Sequence, residues 1–294
     1  MKSLLAFIYI PIVFIICFGC NPKDSNEKPR IDYGAGFFYY KDKAISDESA
    51  MRVFYYKPSN FTPDRPILFF MHGADRKVDH IAKEVAVSVE KYNLLLILPE
   101  YSEQLFPRIE SYQYGNVRTK PKEFWTYFIN DRIFKLVKRI TGSQQEKYCL
   151  WGNSAGAQFV HRQLIVGAYD LVEIAFASNA GVYTMPTHGA NPYPFSLKGL
   201  DLTDEDMKQV FSLNFFVLLG EDDIFQDSYF LMSEAAMQQG SNRLERGKRF
   251  YSIAAREAQR LNVDLNWKLI TIPGCGHNPN DDMSLTVVNL IFGR

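Results

Sequence analysis

The sequence predicts an α/β protein in which helices cover both faces of a mostly parallel central sheet. Short apolar runs of strand length alternate along the chain with longer segments of helical spacing. The strand-like runs are apolar throughout, which is typical of strands buried on both faces. The length of 294 residues suits one large domain of this class. In such sheets, sites form at the carboxyl ends of the strands.

The elements follow from these patterns in chain order. The predicted strands are 51–57, 66–73, 93–100, 146–152, 171–181, 214–223 and 264–274. The predicted helices are 79–92, 122–142, 154–168, 246–261 and 281–292. Ile81, Val85 and Val89 give the first helix its apolar face, and Gly142 is a typical residue at which the second would end.

The N-terminus has a different composition. One lysine precedes an apolar run from Leu4 to Phe18, which is shorter than the roughly 20 residues of a membrane span. The run ends in Gly19 and Cys20, and polar residues follow. This arrangement resembles a bacterial lipoprotein signal, in which the cysteine carries the lipid. An uncleaved N-terminal anchor helix is the alternative.

We therefore divide the chain into three parts. Residues 1–19 are predicted to be a signal peptide, 20–30 a lipidated cysteine with a flexible tether, and 31–294 the α/β domain. With either kind of anchor, the domain is expected outside the cytoplasm and tethered to a membrane. The expected location is the bacterial cell envelope.

Charge and cysteine content restrict the other function classes. The 33 basic residues balance the 33 acidic ones and no long basic run occurs, so a nucleic-acid partner is not expected. Cys149 and Cys275 would remain after processing. Cys149 is expected to be a buried free thiol, and its pairing with Cys275 is left open.

The strongest chemical signal is Gly-Asn-Ser-Ala-Gly, residues 152–156, between a predicted strand and a predicted helix. The pattern G-x-S-x-G in this context is typical of a nucleophile elbow. The turn is so sharp that side chains at Gly152 and Gly156 would clash, and it exposes the hydroxyl of Ser154. The alternative is a chance match of three positions.

A serine needs a base to react at neutral pH. Of five histidines, His277 lies directly after the last predicted strand, where a loop can bring its imidazole over the elbow. His161 lies on the helix after the serine and His72 at a strand end, so neither is the expected base. A histidine that only stabilises its loop is the alternative for His277.

The base in turn needs an acid that orients it. In this chain order, serine then acid then histidine, the acid should follow the strand 214–223. Asp222 and Asp223 both qualify, and Asp223 is preferred. The alternative is an acidic loop that is simply solvated.

Two backbone N–H groups are expected to stabilise an oxyanion. The N–H of Ala155 lies at the start of the helix after the elbow. The second donor should come from the loop after an earlier strand, where Ala74 is preferred and Gly73 is the alternative.

The ordered segments FFMHGA, GNSAG, LLGEDD and GCGH resemble the α/β-hydrolase superfamily from about residue 50 to the C-terminus. They are most similar to secreted bacterial members related to feruloyl esterases and polyhydroxybutyrate depolymerases. The spacing from Gly220 to Asp223 matches the acid turn of that group. The resemblance implies a serine hydrolase without a metal or an organic cofactor, and it does not define the substrate.

Two irregular segments are expected near the site. Segment 181–211 is a possible cap, with a short helix that Thr203 and Asp206 would cap. Its candidate substrate-binding residues are Tyr183, Met185, Tyr193 and Phe195. The alternative is a long connection that packs its own aromatic residues. Segment 105–117 is expected at the rim of the site.

A basic group in 240–250 could meet an anionic substrate, although a solvated helix face is the preferred interpretation. The group contains Arg243, Arg246, Lys248 and Arg249.

The sequence thus predicts a carboxylic-ester hydrolase that acts on a small-molecule ester through an acyl-enzyme. The alternatives are a peptidase with the same three residues, and a degenerate hydrolase fold that serves as a binding lipoprotein.

Overall fold

The computed structural model describes residues 28–45, 49–78, 81 and 89–293. The predicted signal peptide, Cys20 and most of the predicted helix 79–92 lie outside these residues. None of the helices that are described is both long and apolar enough to span a membrane.

Eight strands form one sheet in the order β1-β2-β4-β3-β5-β6-β7-β8. They are β1 (Gly34–Tyr40), β2 (Met51–Lys57), β3 (Ile67–Met71), β4 (Leu95–Pro99), β5 (Tyr148–Asn153), β6 (Val172–Ser178), β7 (Phe215–Gly220) and β8 (Lys268–Ile272). Strand β2 pairs antiparallel with β1 and with β4, and the pairs from β4 through β8 are parallel. The mostly parallel sheet is confirmed.

The helices are α1 (Arg108–Ser111), α2 (Tyr127–Thr141), α3 (Ala155–Ile165), α4 (Asp204–Phe211), α5 (Glu234–Met237), α6 (Arg243–Arg260) and α7 (Asp281–Ile291). A short 3-10 turn spans Lys122–Phe124. Helix α2 ends at Gly142, whose φ of 71° is the left-handed conformation that glycine adopts without strain. Helix α4 begins with the expected capping box between Thr203 and Asp206.

Both faces of the sheet are buried. Along β5, Leu150 packs into one apolar cluster while Cys149 and Trp151 pack into the cluster on the opposite face. This alternation is possible because successive side chains of a strand point to opposite faces. It explains why the strand is apolar throughout.

The structure differs from the predicted elements at several places, among them two short helices, α1 and α5, that were not predicted. Strand β1 was not predicted, because it is a half-buried edge strand that starts with two glycines within three residues. The predicted helix 122–142 is divided, since Trp125 is extended and α2 begins only at Tyr127. Helix α6 begins three residues earlier than expected, where the side chain of Asn242 accepts the Glu245 N–H at 2.9 Å.

Candidate active site

Ser154 occupies the turn between β5 and α3. Its φ of 56° and ψ of −112° lie outside the regions that non-glycine residues normally adopt. The Ser154 N–H donates to the carbonyl of Ser178 on the neighbouring strand at 2.9 Å, and its own carbonyl accepts the Gln158 N–H at 3.1 Å. The strained residue is thus held from both sides by backbone hydrogen bonds.

The two glycines of the motif are required by close backbone packing. A Cβ atom at Gly152 would overlap the carbonyl of Gly156, and one at Gly156 would overlap the carbonyl of Met71 at the end of β3. The elbow therefore sits directly on the carboxyl end of β3. This is the physical basis of the G-x-S-x-G spacing.

His277 lies in the loop between β8 and α7 and brings the three predicted residues together. Its Nε2 is 3.0 Å from Oγ of Ser154, and its Nδ1 is 2.9 Å from Oδ2 of Asp223. The carboxylate can only accept, so Nδ1–H donates to Asp223 and Nε2 accepts from the serine hydroxyl. The imidazole is in the tautomer that a base requires.

Asp223, and not Asp222, meets the imidazole. The side chain of Asp223 is buried, whereas Asp222 is exposed and its backbone N–H binds the carbonyl of Cys275 at 2.9 Å. The loops after β7 and β8 touch closely, because a Cβ atom at Gly220 would overlap the Cys275 carbonyl. This contact places the acid beside the histidine.

Two asparagines that support the histidine loop were not assigned a role from the sequence. Asn153 donates from Nδ2 to the His277 carbonyl at 3.2 Å. Asn179 donates to the carbonyls of Gly276 at 2.9 Å and His277 at 3.0 Å, and its Oδ1 accepts the Gly220 N–H at 2.8 Å. Asn153 is the last residue of β5 and Asn179 follows β6, and this position at the end of an apolar strand is the one sequence signal that they share with Ser154 and Asp223.

The other buried histidines have structural roles. Nε2 of His72 accepts the Tyr101 N–H at 3.0 Å, and Nε2 of His161 accepts the Thr184 N–H at 3.0 Å. Burial lowers the pKa of His72 to about 4 and holds that of His161 well below its usual value. Both are therefore neutral hydrogen-bonding groups, in agreement with the expectation that neither is the base.

The predicted oxyanion donors remain predictions. Ala155 is the first residue of α3, so its N–H belongs to the helix donors that have no partner within the helix. Ala74 lies in the turn after β3, and Arg76 anchors this turn by donating to the carbonyls of Tyr101 at 2.6 Å and Phe106 at 2.9 Å.

The candidate substrate-binding residues are largely buried. Tyr183 is fully buried, and its ring packs on His161 and Phe250. Met185 is also buried. This burial agrees with the alternative interpretation, in which the segment packs its own aromatic residues.

Tyr193 and Phe195 lie farther along the same segment. Tyr193 borders a cavity of about 360 Å³ that Tyr114 and Pro194 also line. Phe195 is half-buried, and its carbonyl accepts the Met185 N–H. Segment 105–117 contributes Tyr114 to this cavity, and binding of a substrate there remains a prediction.

The preferred interpretation of the basic group as a solvated helix face was wrong for two of its members. Arg243 and Arg246 are buried and bind protein groups, so neither is available to an anionic substrate. Lys248 and Arg249 are exposed. Helical spacing explains the difference, since residues 243 and 246 share the face of α6 that packs on the protein.

Cys149 and Cys275 are both buried and free. Burial raises the pKa of the Cys149 thiol to about 12, so this thiol stays protonated at neutral pH.

Similarity to a solved structure shows the family to which this chain belongs. No protein-family model and no curated protein matches the sequence. Among solved structures, poly(aspartic acid) hydrolase-1 from Sphingomonas sp. KT-1 is 31% identical, with a TM-score of 0.83 over 89% of this chain and 100% of that one. The chain belongs to the α/β-hydrolase family of that enzyme.

Two further structures resemble this α/β-hydrolase. The poly(3-hydroxybutyrate) depolymerase LpqC from Bordetella parapertussis is 26% identical, with a TM-score of 0.83 over 90% of this chain and 91% of that one. An S-formylglutathione hydrolase from Agrobacterium tumefaciens is 12% identical, with a TM-score of 0.58 over 90% of this chain and 96% of that one, and shows the shared fold alone. The named relatives are hydrolases, which indicates hydrolase activity of the serine-esterase type.

Proposed function

We propose that this α/β-hydrolase cleaves carboxylic esters with Ser154 as nucleophile, His277 as base and Asp223 as the acid that orients the base. The observation that carries the proposal is the continuous hydrogen-bonded chain Ser154–His277–Asp223, with distances of 3.0 and 2.9 Å. This geometry meets the requirement that nucleophile, base and orienting acid lie within hydrogen-bonding reach.

The first half of the reaction forms an acyl-enzyme. Oγ of Ser154 attacks the ester carbonyl carbon while its proton moves to Nε2 of His277, and the carbonyl electron pair moves to the oxygen. The oxyanion is stabilised by the N–H groups of Ala155 and Ala74. When the tetrahedral intermediate collapses, the C–O bond to the alcohol breaks and the imidazolium returns the proton to the leaving oxygen.

In the second half, water repeats the attack. His277 takes a proton from water as the hydroxide oxygen adds to the acyl carbon, and the serine oxygen leaves with that proton. Asp223 accepts the Nδ1–H throughout and stabilises the imidazolium that forms twice in the cycle. The products are a carboxylic acid, an alcohol and the original enzyme.

The relatives favour an oligomeric or polymeric substrate. One is named a poly(3-hydroxybutyrate) depolymerase and one a poly(aspartic acid) hydrolase. We infer that the substrate is an ester, and a poly(aspartic acid)-like chain is the second candidate because the 31% identical relative bears that name. Parallel assays on p-nitrophenyl esters, poly(3-hydroxybutyrate) and poly(aspartic acid) separate these possibilities.

A fluorophosphonate probe tests the nucleophile. We expect the wild type to be labelled and Ser154→Ala to remain unlabelled, because only an activated serine attacks the probe. His277→Ala should label at least about 10³-fold more slowly, because removing one member of such a unit lowers kcat by about 10⁴–10⁶-fold. Ser212→Ala, which removes an exposed serine at the end of α4, is the matched control and should label like the wild type.

Labelling of Ser154→Ala at the wild-type rate would refute the proposed nucleophile. A folded wild type that fails to label would favour a binding lipoprotein instead.

We further propose that Cys20 is lipidated and tethers the domain to the cell envelope. The support is the apolar run before Cys20 and the polar segment after it. Metabolic labelling with palmitate in the wild type and in Cys20→Ala tests this. An unlabelled wild-type protein would contradict it.

A further inference from the structure

The loop after β7, residues 221–233, carries the acid of the proposed triad. We call it the acid loop. Although Asp223 is buried, the loop also holds large apolar side chains that are exposed, namely Ile224, Phe225, Tyr229, Leu231 and Met232. A loop with so little apolar packing needs other contacts to hold a carboxylate in place.

Arg243, at the start of α6, supplies such contacts. Its Nη2 donates to Oδ1 of Asp227 at 2.8 Å and to Oδ2 at 2.9 Å. Its Nη1 lies 3.5 Å from Oδ1 of Asp223 and 3.4 Å from the Phe225 carbonyl. The guanidinium also covers the ring of Phe230 at 5.3 Å. Within the described part of the chain, every one of these partners lies on the acid loop.

The two carboxylate oxygens of Asp223 thus contact different side chains. Oδ2 accepts from His277, and Oδ1 faces Arg243. The side chains of Arg243 and Asp223 are each only 2% exposed, so water screens their interaction little. Removing one partner of such a pair leaves a buried charge without compensation.

Asp227 completes the group as the second acceptor of the guanidinium. Burial would raise the pKa of Asp227, but its hydrogen bonds and the charge of Arg243 lower it. Both oxygens of its carboxylate accept from the same nitrogen, Nη2, and this charge-assisted contact holds the end of the guanidinium against the acid loop.

Arg246, one turn farther along α6, provides the contrast. It is equally buried, and it donates to the carbonyls of Gly181 at 2.6 Å, Leu231 at 2.8 Å and Gly240 at 3.1 Å. No carboxylate is among its partners in the described residues. Both buried arginines contact the acid loop, Arg246 through the Leu231 carbonyl and the ring of Phe230, but only Arg243 reaches the acid that contacts His277.

We propose that Arg243 is a positioning residue for catalysis, which holds the Asp223 carboxylate in the orientation that accepts the His277 Nδ1–H. The inference rests on the proposed function, because it needs Asp223 to act through His277. Arg243 itself touches neither the serine nor the substrate. Its whole effect on turnover passes through Asp223.

A double-mutant cycle with p-nitrophenyl acetate tests this route. We expect Arg243→Gln to lower kcat about 10–100-fold with KM changed less than about twofold, because the lost interaction supports the transition state. In an Asp223→Asn background, the same substitution should lower kcat less than about twofold, since no carboxylate is left to position. Arg243→Lys should retain part of the activity.

Arg246→Gln is the matched control for the loss of a buried arginine. Whatever change in kcat it causes should be the same in the wild-type and Asp223→Asn backgrounds. If Arg243→Gln also gives equal losses in both backgrounds, its role is structural and the proposal is overturned.

Thermal unfolding monitors folding of each variant. If Arg243→Gln does not fold, Arg243→Lys is used in the same double-mutant cycle. An equal loss of kcat in both backgrounds again overturns the proposal. The failures are distinguishable: activity in Ser154→Ala would refute the proposed nucleophile, whereas an additive cycle with an inactive Ser154→Ala refutes only the role of Arg243.

Discussion

The loops that carry Ser154 and Asp223 follow the parallel strands β5 and β7, which β6 separates, at the same edge of the sheet, yet different forces hold them. The elbow is held by its backbone, with a strained φ of 56° and glycines that allow main chain to pack on main chain. The acid loop packs its first residues against the main chain of the histidine loop, and beyond them it is held by side chains, through Arg243 and Asp227.

This difference determines what each loop tolerates. Steric contacts between backbones are rigid, and the elbow makes them within itself, between Gly152 and Gly156, and with Met71 at the end of β3. The acid loop depends in addition on the ion pairs of a helix that starts 20 residues after Asp223. Substitutions should therefore damage the folding of the elbow and the catalytic geometry of the acid loop.

The largest expected effect is on the acid loop. Asp223→Asn should lower kcat by about 10³–10⁴-fold, because the amide cannot stabilise the imidazolium or maintain its tautomer. Asp222→Asn is the matched control and should leave kcat within about twofold, since its exposed side chain does not meet His277 in the structure. Steady-state kinetics on a p-nitrophenyl ester measures both. Equal losses in the two variants would contradict the assignment.

A second test addresses the elbow. Gly156→Ala should lower the free energy of unfolding by about 3 kcal/mol or more, because its Cβ atom would overlap the backbone of Met71. Gly276→Ala is the control, as a Cβ atom there meets no atom within 4 Å. Urea unfolding compares them. A Gly156→Ala protein as stable as Gly276→Ala would show that the elbow is not sterically locked.

The two buried histidines near the elbow should also make the protein less stable in acid. Burial lowers the pKa of His72 to about 4 and that of His161 well below the value of 6.5 expected when unfolded. The unfolded chain thus binds more protons as the pH falls below 6.5, and each histidine costs up to about 1.4 kcal/mol per pH unit. For His72 this loss continues down to about pH 4.

Asp131 opposes this trend, because burial raises its pKa to about 6 and the folded state takes up a proton there. We therefore expect a net decrease in stability between pH 6.5 and 5, measured by urea unfolding. In His161→Gln, the free energy of unfolding should decrease less steeply as the pH falls, because the contribution of one histidine is absent. Stability that does not change over this range would exclude buried neutral histidines.

The smallest effect is expected on the exposed face of α6. Lys248→Ala and Arg249→Ala should change the free energy of unfolding by no more than about 0.5 kcal/mol. KM for an anionic ester should change less than about twofold. A rise in KM for an anionic ester but not for a neutral one would instead support the less favoured interpretation, a contact with an anionic substrate.

Much of the fold could be predicted, because buried strands and amphipathic helices carry their pattern locally. Strand β1 was missed because a half-buried edge strand lacks that pattern. For the candidate site, the sequence pointed to Ser154 and His277 and reduced the acid to two neighbours. It could not show Asn179, whose three hydrogen bonds join the ends of β6 and β7 to the histidine loop.

The sequence by itself determined the sheet class, the elbow and the order of the three candidate catalytic residues, since each follows from local patterns and their order along the chain. Only the tertiary structure showed that Asp223, rather than Asp222, contacts His277, and that Arg243 and Arg246 of α6 are buried against loops. The physical reason is the same in each case. Which of two adjacent side chains is buried, and which charge it meets there, depends on segments that are distant in the chain and adjacent in space.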